Sequence, residues 1–392
     1  MAQTVPATYL EAFRMSEHVL ITGGAGFIGT RLAARFVKAG YTVTVLDSLI
    51  AQVHGDDPKI TSPLLRSLDG VANTVHGTVT SKDDLRTALK GATIVVHLAA
   101  ETGTGQSMYE IDRYVDANVG GTAKLLDIIT NEPNEVKRVV IASSRSIYGE
   151  GSYRTEDGRL VFPNHRVDAD MAGGDFDVHM PGEGPLTMVP TDESALLHPS
   201  SVYGITKQMQ ESLIMTVAPT IGKEAVSVRY QNVYGPGQSL KNPYTGILSI
   251  FSTLIRQGKE INIFEDGLES RDFVYIDDIV EATFLAATLP QAAGGTFNVG
   301  SGVATTVNDV IAALFDAFGT TVPTKVSGNY RLGDIRHNIA DTTALRDVLG
   351  YEPQVAFADG VKRFVEWVLT EPIEGDNYER SLAEMAERNL LK

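Results

Sequence analysis

The stretch His18-Val-Leu-Ile-Thr-Gly-Gly-Ala-Gly-Phe-Ile-Gly29 constrains this chain more than any other. A short apolar run that reads as a buried strand leads straight into glycines at three-residue spacing, Gly23, Gly26 and Gly29, and then into helical periodicity. Glycines in such a turn let the backbone come close to a bound anion. The first turn of the following helix aims free N–H groups and the positive end of its dipole at the same point. A dinucleotide pyrophosphate site is predicted, with Gly23, Gly26, Phe27, Ile28 and Gly29 as its contacts. The triplet alone would fit an ordinary tight turn. Asp47 tips the balance, because it ends the next strand about 20 residues on, where a carboxylate bonds the adenosine ribose hydroxyls. The same carboxylate repels a 2′-phosphate, so the expected cofactor is NAD rather than NADP.

The first half of the chain continues this alternation. Residues 18–22, 41–46, 93–98 and 138–143 read as strands, and 27–39, 83–89 and 109–130 as helices. Near-continuously apolar strands separated by helices predict an α/β fold, a Rossmann-type doubly wound parallel sheet covered on both faces. Beyond about residue 230 the pattern loosens, although 246–256, 306–318 and 357–369 still have helical spacing. The expected organisation is an extension over 1–17 (a short extra helix or a frayed end), an NAD-binding domain over 18–230, a stretch over 231–376 that is mainly a smaller α/β substrate lobe, and a tail over 377–392. The tail looks like an amphipathic helix without an assignable role. Within the first domain, 151–190 is too long and too rich in Gly, Pro and Asp for a simple connection. It is expected to be a metal-free lid or a decorative insertion.

Composition removes several classes of function. The chain has no cysteine, which excludes disulfides, thiolate catalysis and cysteine metal sites. No apolar run approaches the roughly 18 residues of a membrane span, and the start lacks the basic and apolar character of a secretory signal. A cytoplasmic setting is expected. The formal charge of −16 argues against nucleic acid or an anionic membrane as partner. An anionic ligand must then be held by local arginines and helix N-termini. His165, Asp168, Asp170 and His179 lack metal-site spacing, so no metal is expected.

Further motifs carry a family resemblance. They are Leu98-Ala-Ala, Asn118-Val-Gly-Gly-Thr, Ser143-Ser-Arg-Ser-Ile-Tyr-Gly149, Tyr203-Gly-Ile-Thr-Lys207, Arg229-Tyr-Gln-Asn-Val-Tyr-Gly-Pro-Gly237 and Arg271-Asp-Phe-Val-Tyr-Ile-Asp-Asp278. In this order, over roughly residues 18–370, the chain resembles the extended short-chain dehydrogenase/reductases, and among them the NAD-dependent nucleotide-sugar epimerases and dehydratases. The resemblance implies cofactor contacts from Leu98, Ala99, Ala100, Asn118, Ser143, Tyr203, Lys207 and Tyr230. Thr78 stands where the family usually has an Asp near the adenine, which weakens one contact.

Tyr203 and Lys207 are four residues apart and share one helix face. A tyrosine with a pKa near 10 is a poor base at neutral pH, and a nearby ammonium favours its phenolate. The resemblance gives this pair that task, with Ser144 as the hydroxyl that holds the reacting oxygen. Ser143 and Ser146 are the other serines at that strand end. The related 4,6-dehydratases carry an Asp-Glu pair after the serine; this chain has Arg145 and Ser146, so elimination of water lacks its acid and base. The substrate contacts implied are Thr102, Ser144, Arg145, Asn232, Arg271, Arg331 and Asp334, the arginines holding a diphosphate.

The frame 149–154 and 189–193, with 48–55 and 102–109, is similar to bacterial dTDP-L-rhamnose 4-epimerases. Many of those carry cysteine pairs in the insertion, where this chain has Thr155, Met180 and Glu183. The expected reaction is therefore NAD-dependent 4-epimerisation of a nucleotide sugar through a 4-keto intermediate. A UDP-sugar 4-epimerase, a 4-ketosugar reductase and a non-catalytic NAD sensor are the alternatives. The family commonly dimerises through a four-helix interface, which would use 109–130 and 201–218 here.

Overall fold

The computed structural model describes residues 17–240, 246–373 and 377–392. Most of the extension expected over 1–17 lies outside the described residues. Strands β1 (His18–Thr22), β2 (Thr42–Asp47), β3 (Asn73–His76), β4 (Ile94–His97), β5 (Arg138–Ser144), β6 (Glu224–Tyr230) and β7 (Thr296–Val299) form one parallel sheet, ordered β7-β6-β5-β4-β1-β2-β3. Val19 of β1 lies between Val43 and Ile94 in register.

Alternate strand residues feed opposite layers, because successive side chains of a strand point to opposite faces. Val19, Ile21, Val96 and Val140 pack with Leu32 and Phe36 of the helix Phe27–Lys38. Leu20, Val95, Val139 and Ile141 pack on the other face with Leu125, Ile128 and Ile214. Burial on both faces is the reason the strands read as continuous apolar runs. Strand order reverses between β1 and β4, which opens a crevice at the carboxyl ends of the strands.

Element ends differ from the sequence reading by a residue or so, the ordinary uncertainty of helix termini. Three differences are larger. Residues 109–130 are not one helix: Ile111–Tyr114 runs into a π-helical stretch, Val115–Gly120, before Gly121–Asn131. The wider turn carries Asn118, which is fully buried. Next, the boundary at 230 is crossed twice. β7 completes the main sheet beside β6, and the helix Ile276–Thr288 packs on Phe27–Lys38. There Arg35 meets Glu281 at 2.6 Å and stacks on the Phe284 ring at 3.6 Å. Residues 231–376 therefore form the smaller lobe only in part.

The insertion is structured as well. Tyr153–Arg154 pairs antiparallel with both Leu160–Val161 and Thr187–Met188, and a short helix covers Asp168–Ala172. Arg166, 1% exposed, anchors it to Glu265 of the second lobe at 2.8 Å. Among the described residues no helix is long and apolar enough to cross a membrane.

Candidate active site

A cavity of about 1770 Å³ fills the crevice and runs into the second lobe. Its cofactor end is built by the turn after β1. Gly23 has φ +67°, and a Cβ there would lie 2.8 Å from the Ala99 nitrogen. A Cβ on Gly29 would lie 2.4 Å from Gly24 Cα, so helix and turn touch backbone to backbone. Phe27 and Ile28 line the cavity beside them, with Leu98, Ala99, Ala100 and Thr102 as the facing wall. Asp47 is fixed at the rim: its Oδ2 accepts from the Ala25 N–H at 3.0 Å and its Oδ1 from the Leu49 N–H at 2.9 Å. A side-chain-free cradle on a helix N-terminus, with a held carboxylate at strand distance, fits the pyrophosphate and adenosine ribose of NAD.

The reacting end is set by the helix Val202–Thr220. Ser201 caps it, accepting from the Gly204 N–H at 3.1 Å. Ser107 Oγ accepts the Tyr203 N–H at 3.0 Å. The Tyr203 phenol faces Ser144, whose hydroxyl favours its ionised form. Ser144 Oγ in turn accepts from the Ser146 N–H at 3.2 Å and the Ser146 hydroxyl at 2.9 Å. Burial raises the Tyr203 pKa, while the Ser144 hydroxyl and the Arg145 charge pull it down. Lys207 sits one turn deeper, 3% exposed, and its Nζ donates to Gln210 Oε1 at 2.8 Å. Burial pushes its pKa down to about 7.

Four of the expected cofactor residues lie behind the cavity lining. Lys207 is one. Asn118 joins the loop after β4 to the Tyr203 helix, with Oδ1 accepting the Glu101 N–H at 2.7 Å and Nδ2 donating to Thr206 Oγ1 at 2.9 Å. Ser143 is 2% exposed beside Ser144. The Tyr230 hydroxyl pairs with Thr283 Oγ1 at 2.7 Å. At the adenine end, the Thr78 N–H donates to Asp84 Oδ2 at 2.9 Å.

The substrate end collects the arginines that an acidic protein requires. Arg145 Nε donates to Asn232 Oδ1 at 2.5 Å, and burial, then the neighbouring Arg271, lowers its pKa to about 10. Arg271 donates to the Asp334 carboxylate and to the carbonyls of Ser270, Ile335 and Arg336. Arg331 lies over the Phe264 ring at 4.8 Å. Burial works against ionised Asp334, but Arg271, Arg331, Arg166 and Arg145 outweigh it and hold the carboxyl down at about 2. All four expected substrate cations and amides, with Ser144, Asp334 and Thr102, line the one cavity. Among the described residues, one acidic trio has metal-site spacing: Glu265, Asp266 and Glu269. Arg166 and Arg336 already reach it at 2.8 and 2.7 Å.

The model of the NAD dependent epimerase/dehydratase family matches residues 19–165 and 178–300. The chain belongs to this family. It is an NAD-dependent enzyme on an epimerase/dehydratase scaffold. The gap in the match, 166–177, falls inside the insertion. A dTDP-L-rhamnose 4-epimerase of Burkholderia thailandensis is 36% identical over 90% of this chain and 95% of its own length. The crystal structure of a UDP-glucose 4-epimerase of Thermotoga maritima with UDP-glucose superposes with a TM-score of 0.72 at 29% identity, over 90% of this chain and 98% of that one. MoeE5 in complex with UDP-glucuronic acid and NAD gives 0.71 at 27%, over 90% and 99%.

Several residues of this epimerase/dehydratase-family site carried no sequence signal. Ser107 ends the short helix Thr104–Ser107, whose sequence has no periodicity, yet its hydroxyl oxygen accepts the Tyr203 N–H. Gln210 stands one turn beyond Lys207 on the same helix, a spacing that could have suggested the pair. Arg380, Met385 and Leu390 of the tail line the same cavity.

Proposed function

We propose that the chain is an NAD-dependent 4-epimerase of a nucleotide-activated sugar that interconverts dTDP-L-rhamnose and dTDP-6-deoxy-L-talose. The observation that carries the reading is one cavity with two ends. Tyr203 and Ser144 meet beneath the cofactor cradle, and Arg145, Arg271 and Arg331 converge farther along it. Arg145 and Ser146 occupy the positions where a dehydratase needs its acid and base, which favours redox chemistry at a single carbon over loss of water.

NAD, held tightly in the cradle, supplies reversible hydride acceptance at the sugar C4. The chain's own residues do the rest. Ser144 holds the 4-hydroxyl oxygen and Tyr203 takes its proton, a role whose usual worth is about 10²–10⁴-fold in rate. Arg145 stabilises the phenolate that the step needs. Lys207, Ser143, Asn118 and Tyr230 position the walls of the cofactor site from behind. Arg271, Arg331 and Asn232 hold the nucleotide diphosphate, so that the hexose alone would be free to turn and take the hydride back at C4 on its other face, Tyr203 returning the proton to the 4-oxygen. The Asp47 carboxylate favours NAD and thereby a redox-neutral epimerase over an NADPH-drawing reductase. A UDP-sugar 4-epimerase is the second reading, favoured by the likeness to the Thermotoga maritima enzyme.

The chain pairs with a second copy in this reading. Ile111 and Val115 on one helical stretch and Ile205 and Met209 on the adjoining helix are all exposed, each pair one turn apart. The test of the function is proton NMR of dTDP-L-rhamnose incubated with the protein and no added cofactor. Appearance of the 6-deoxytalose isomer without net NADH is the expected result. A sugar that stays unchanged with NAD supplied, while UDP-glucose inverts at C4, would transfer the assignment to the second reading.

A further inference from the structure

The segment that sequence left without a role, Asn377–Glu387 and the residues to Lys392, lies across the cavity rather than beside it. Its helix docks on the loop after β4. Met385 is 5% exposed, and a Cβ on Gly105 would come within 3.1 Å of its Sδ. The Tyr109 hydroxyl donates to Glu384 Oε2 at 3.3 Å, and the Arg388 guanidinium stacks on the Tyr109 ring at 4.4 Å. The chain beyond the helix pairs as a strand with the loop that carries Arg331. The Leu332 N–H donates to the Leu390 carbonyl at 3.0 Å, and Tyr330 and Lys392 exchange N–H···O bonds of 2.9 and 3.0 Å. Lys392 Nζ then reaches Asp168 of the insertion at 2.7 Å.

Both loops that the segment holds adjoin the start of the Tyr203 helix. Gly105 is two residues from Ser107, which receives the Tyr203 N–H. Leu332 is one residue from Gly333, whose carbonyl accepts the Ser200 hydroxyl at 2.7 Å. Apolar side chains are brought together there: the Leu390 N–H donates to the Met385 carbonyl at 3.0 Å, and Leu332 follows through the strand pairing. Met385, Leu390 and Leu332 all line the cavity. Arg380, the neighbouring cation in that lining, is paired with Glu384 at 3.7 Å.

We infer that residues 377–392 are a strap closing the sugar half of the cavity, and that Met385 and Leu390 select the substituent at the hexose C6, accepting a methyl group and refusing a hydroxyl or carboxylate. The inference rests on the nucleotide-sugar reading above and deepens it. A hydroxyl pressed against methionine and leucine side chains loses its water without gaining a partner, and a carboxylate loses far more. An apolar wall discriminates against an added hydroxyl by up to about 10²-fold. A shift of selectivity, with nucleotide affinity untouched, separates this role from a merely structural one.

The experiment is calorimetric titration of the full chain, with its NAD, by dTDP-L-rhamnose, its 6-hydroxy analogue dTDP-L-mannose, the matching uronate dTDP-L-mannuronate, and free dTDP. The wild type is expected to bind the 6-deoxy sugar about 10²-fold more tightly than the 6-hydroxy sugar, and the uronate more weakly still. Met385→Asn should shrink the first ratio to below about 10-fold while the free dTDP affinity stays the same, and Met385→Leu should restore most of the lost ratio. Equal wild-type affinity for the three sugars, an unchanged ratio in Met385→Asn, or no binding at all overturns the inference. Selective binding without inversion at C4 sustains the strap and overturns the 4-epimerase reading instead.

Discussion

Arg271 Nη2 donates to Asp334 Oδ1 at 2.7 Å, across 63 residues of sequence. With three backbone carbonyls taking its other bonds, the guanidinium is aimed before any ligand arrives. Its four Nη hydrogens are thereby taken, and the fixed positive charge and the Nε–H meet a phosphate without the entropy cost of ordering a long side chain. Asp334→Asn should therefore weaken nucleotide-sugar binding by about 10-fold, and Arg271→Ala by more, each with the NAD content of the purified protein unchanged. Titration with the nucleotide sugar and an absorbance assay of released NAD measure the two effects. A loss of NAD in either variant would contradict the division of the cavity into two ends.

The Arg145 charge favours the ionised form of the Tyr203 phenol. Burial raises the phenol, so the base form is favoured only as pH rises, and the Arg145 charge draws that transition downward. Removing the charge in Arg145→Met should move the acid limb of the kcat profile upward by about one pH unit. Lys207→Met should disturb cofactor binding more than the position of that limb. A limb that stays in place in Arg145→Met rules out the electrostatic role.

Gly29 has no room for a side chain, since its Cβ would stand 2.4 Å from Gly24 Cα. Gly29→Ala must push the helix from the turn, at a cost of about 1–3 kcal/mol in stability. The cradle opens with it, and the protein should purify with little NAD. Urea unfolding and cofactor content report these together.

His97 is fully buried, with Thr22 Oγ1 2.7 Å from Nδ1 and Thr122 Oγ1 2.9 Å from Nε2. Burial, then the Lys207 charge, lowers its pKa to about 3. The folded value lies below the ordinary 6.5, so the stability it confers is complete above pH 6.5 and declines as pH falls from there toward 3. In that window the unfolded chain binds a proton that the folded chain refuses. The loss approaches about 1.4 kcal/mol per pH unit. His337, held at about 4 by burial and by Arg336 and Arg271, adds to the same acid limb. Unfolding free energies at pH 7, 6 and 5 should give a slope smaller by about one proton in His97→Gln than in the wild type.

Ile205 and Met209 lie on one exposed face of the Tyr203 helix, beside Ile111 and Val115. Ile205→Glu with Met209→Glu should convert the proposed dimer to a monomer in sedimentation velocity, because paired carboxylates cannot be buried unpaired in an apolar seam. A wild-type monomer at micromolar concentration defeats the pairing outright.

The sheet and its cofactor turn were legible in the sequence because both depend on local pattern. Buried parallel strands need unbroken apolar runs, and a backbone that must touch backbone at Gly23 and Gly29 can use no other residue. Spacing and family motif pointed to Tyr203, Lys207 and Ser144, and folding sets Tyr203 and Ser144 in the lining of one cavity with Lys207 behind it. The sequence gives no warning that the Lys207 ammonium is buried and donates to Gln210, for helical spacing places a residue on a face without saying how deep that face is buried. Nor does local pattern reveal that β7, 66 residues beyond the end of β6, returns to the main sheet, or that Val115–Gly120 widens to bury Asn118. Those are long-range packing outcomes, settled by which surfaces must be covered. The 377–392 segment makes the same point. As sequence it is an amphipathic helix; only the placement of Gly105, Tyr109 and Leu332 brings Met385 and Leu390 into the cavity lining.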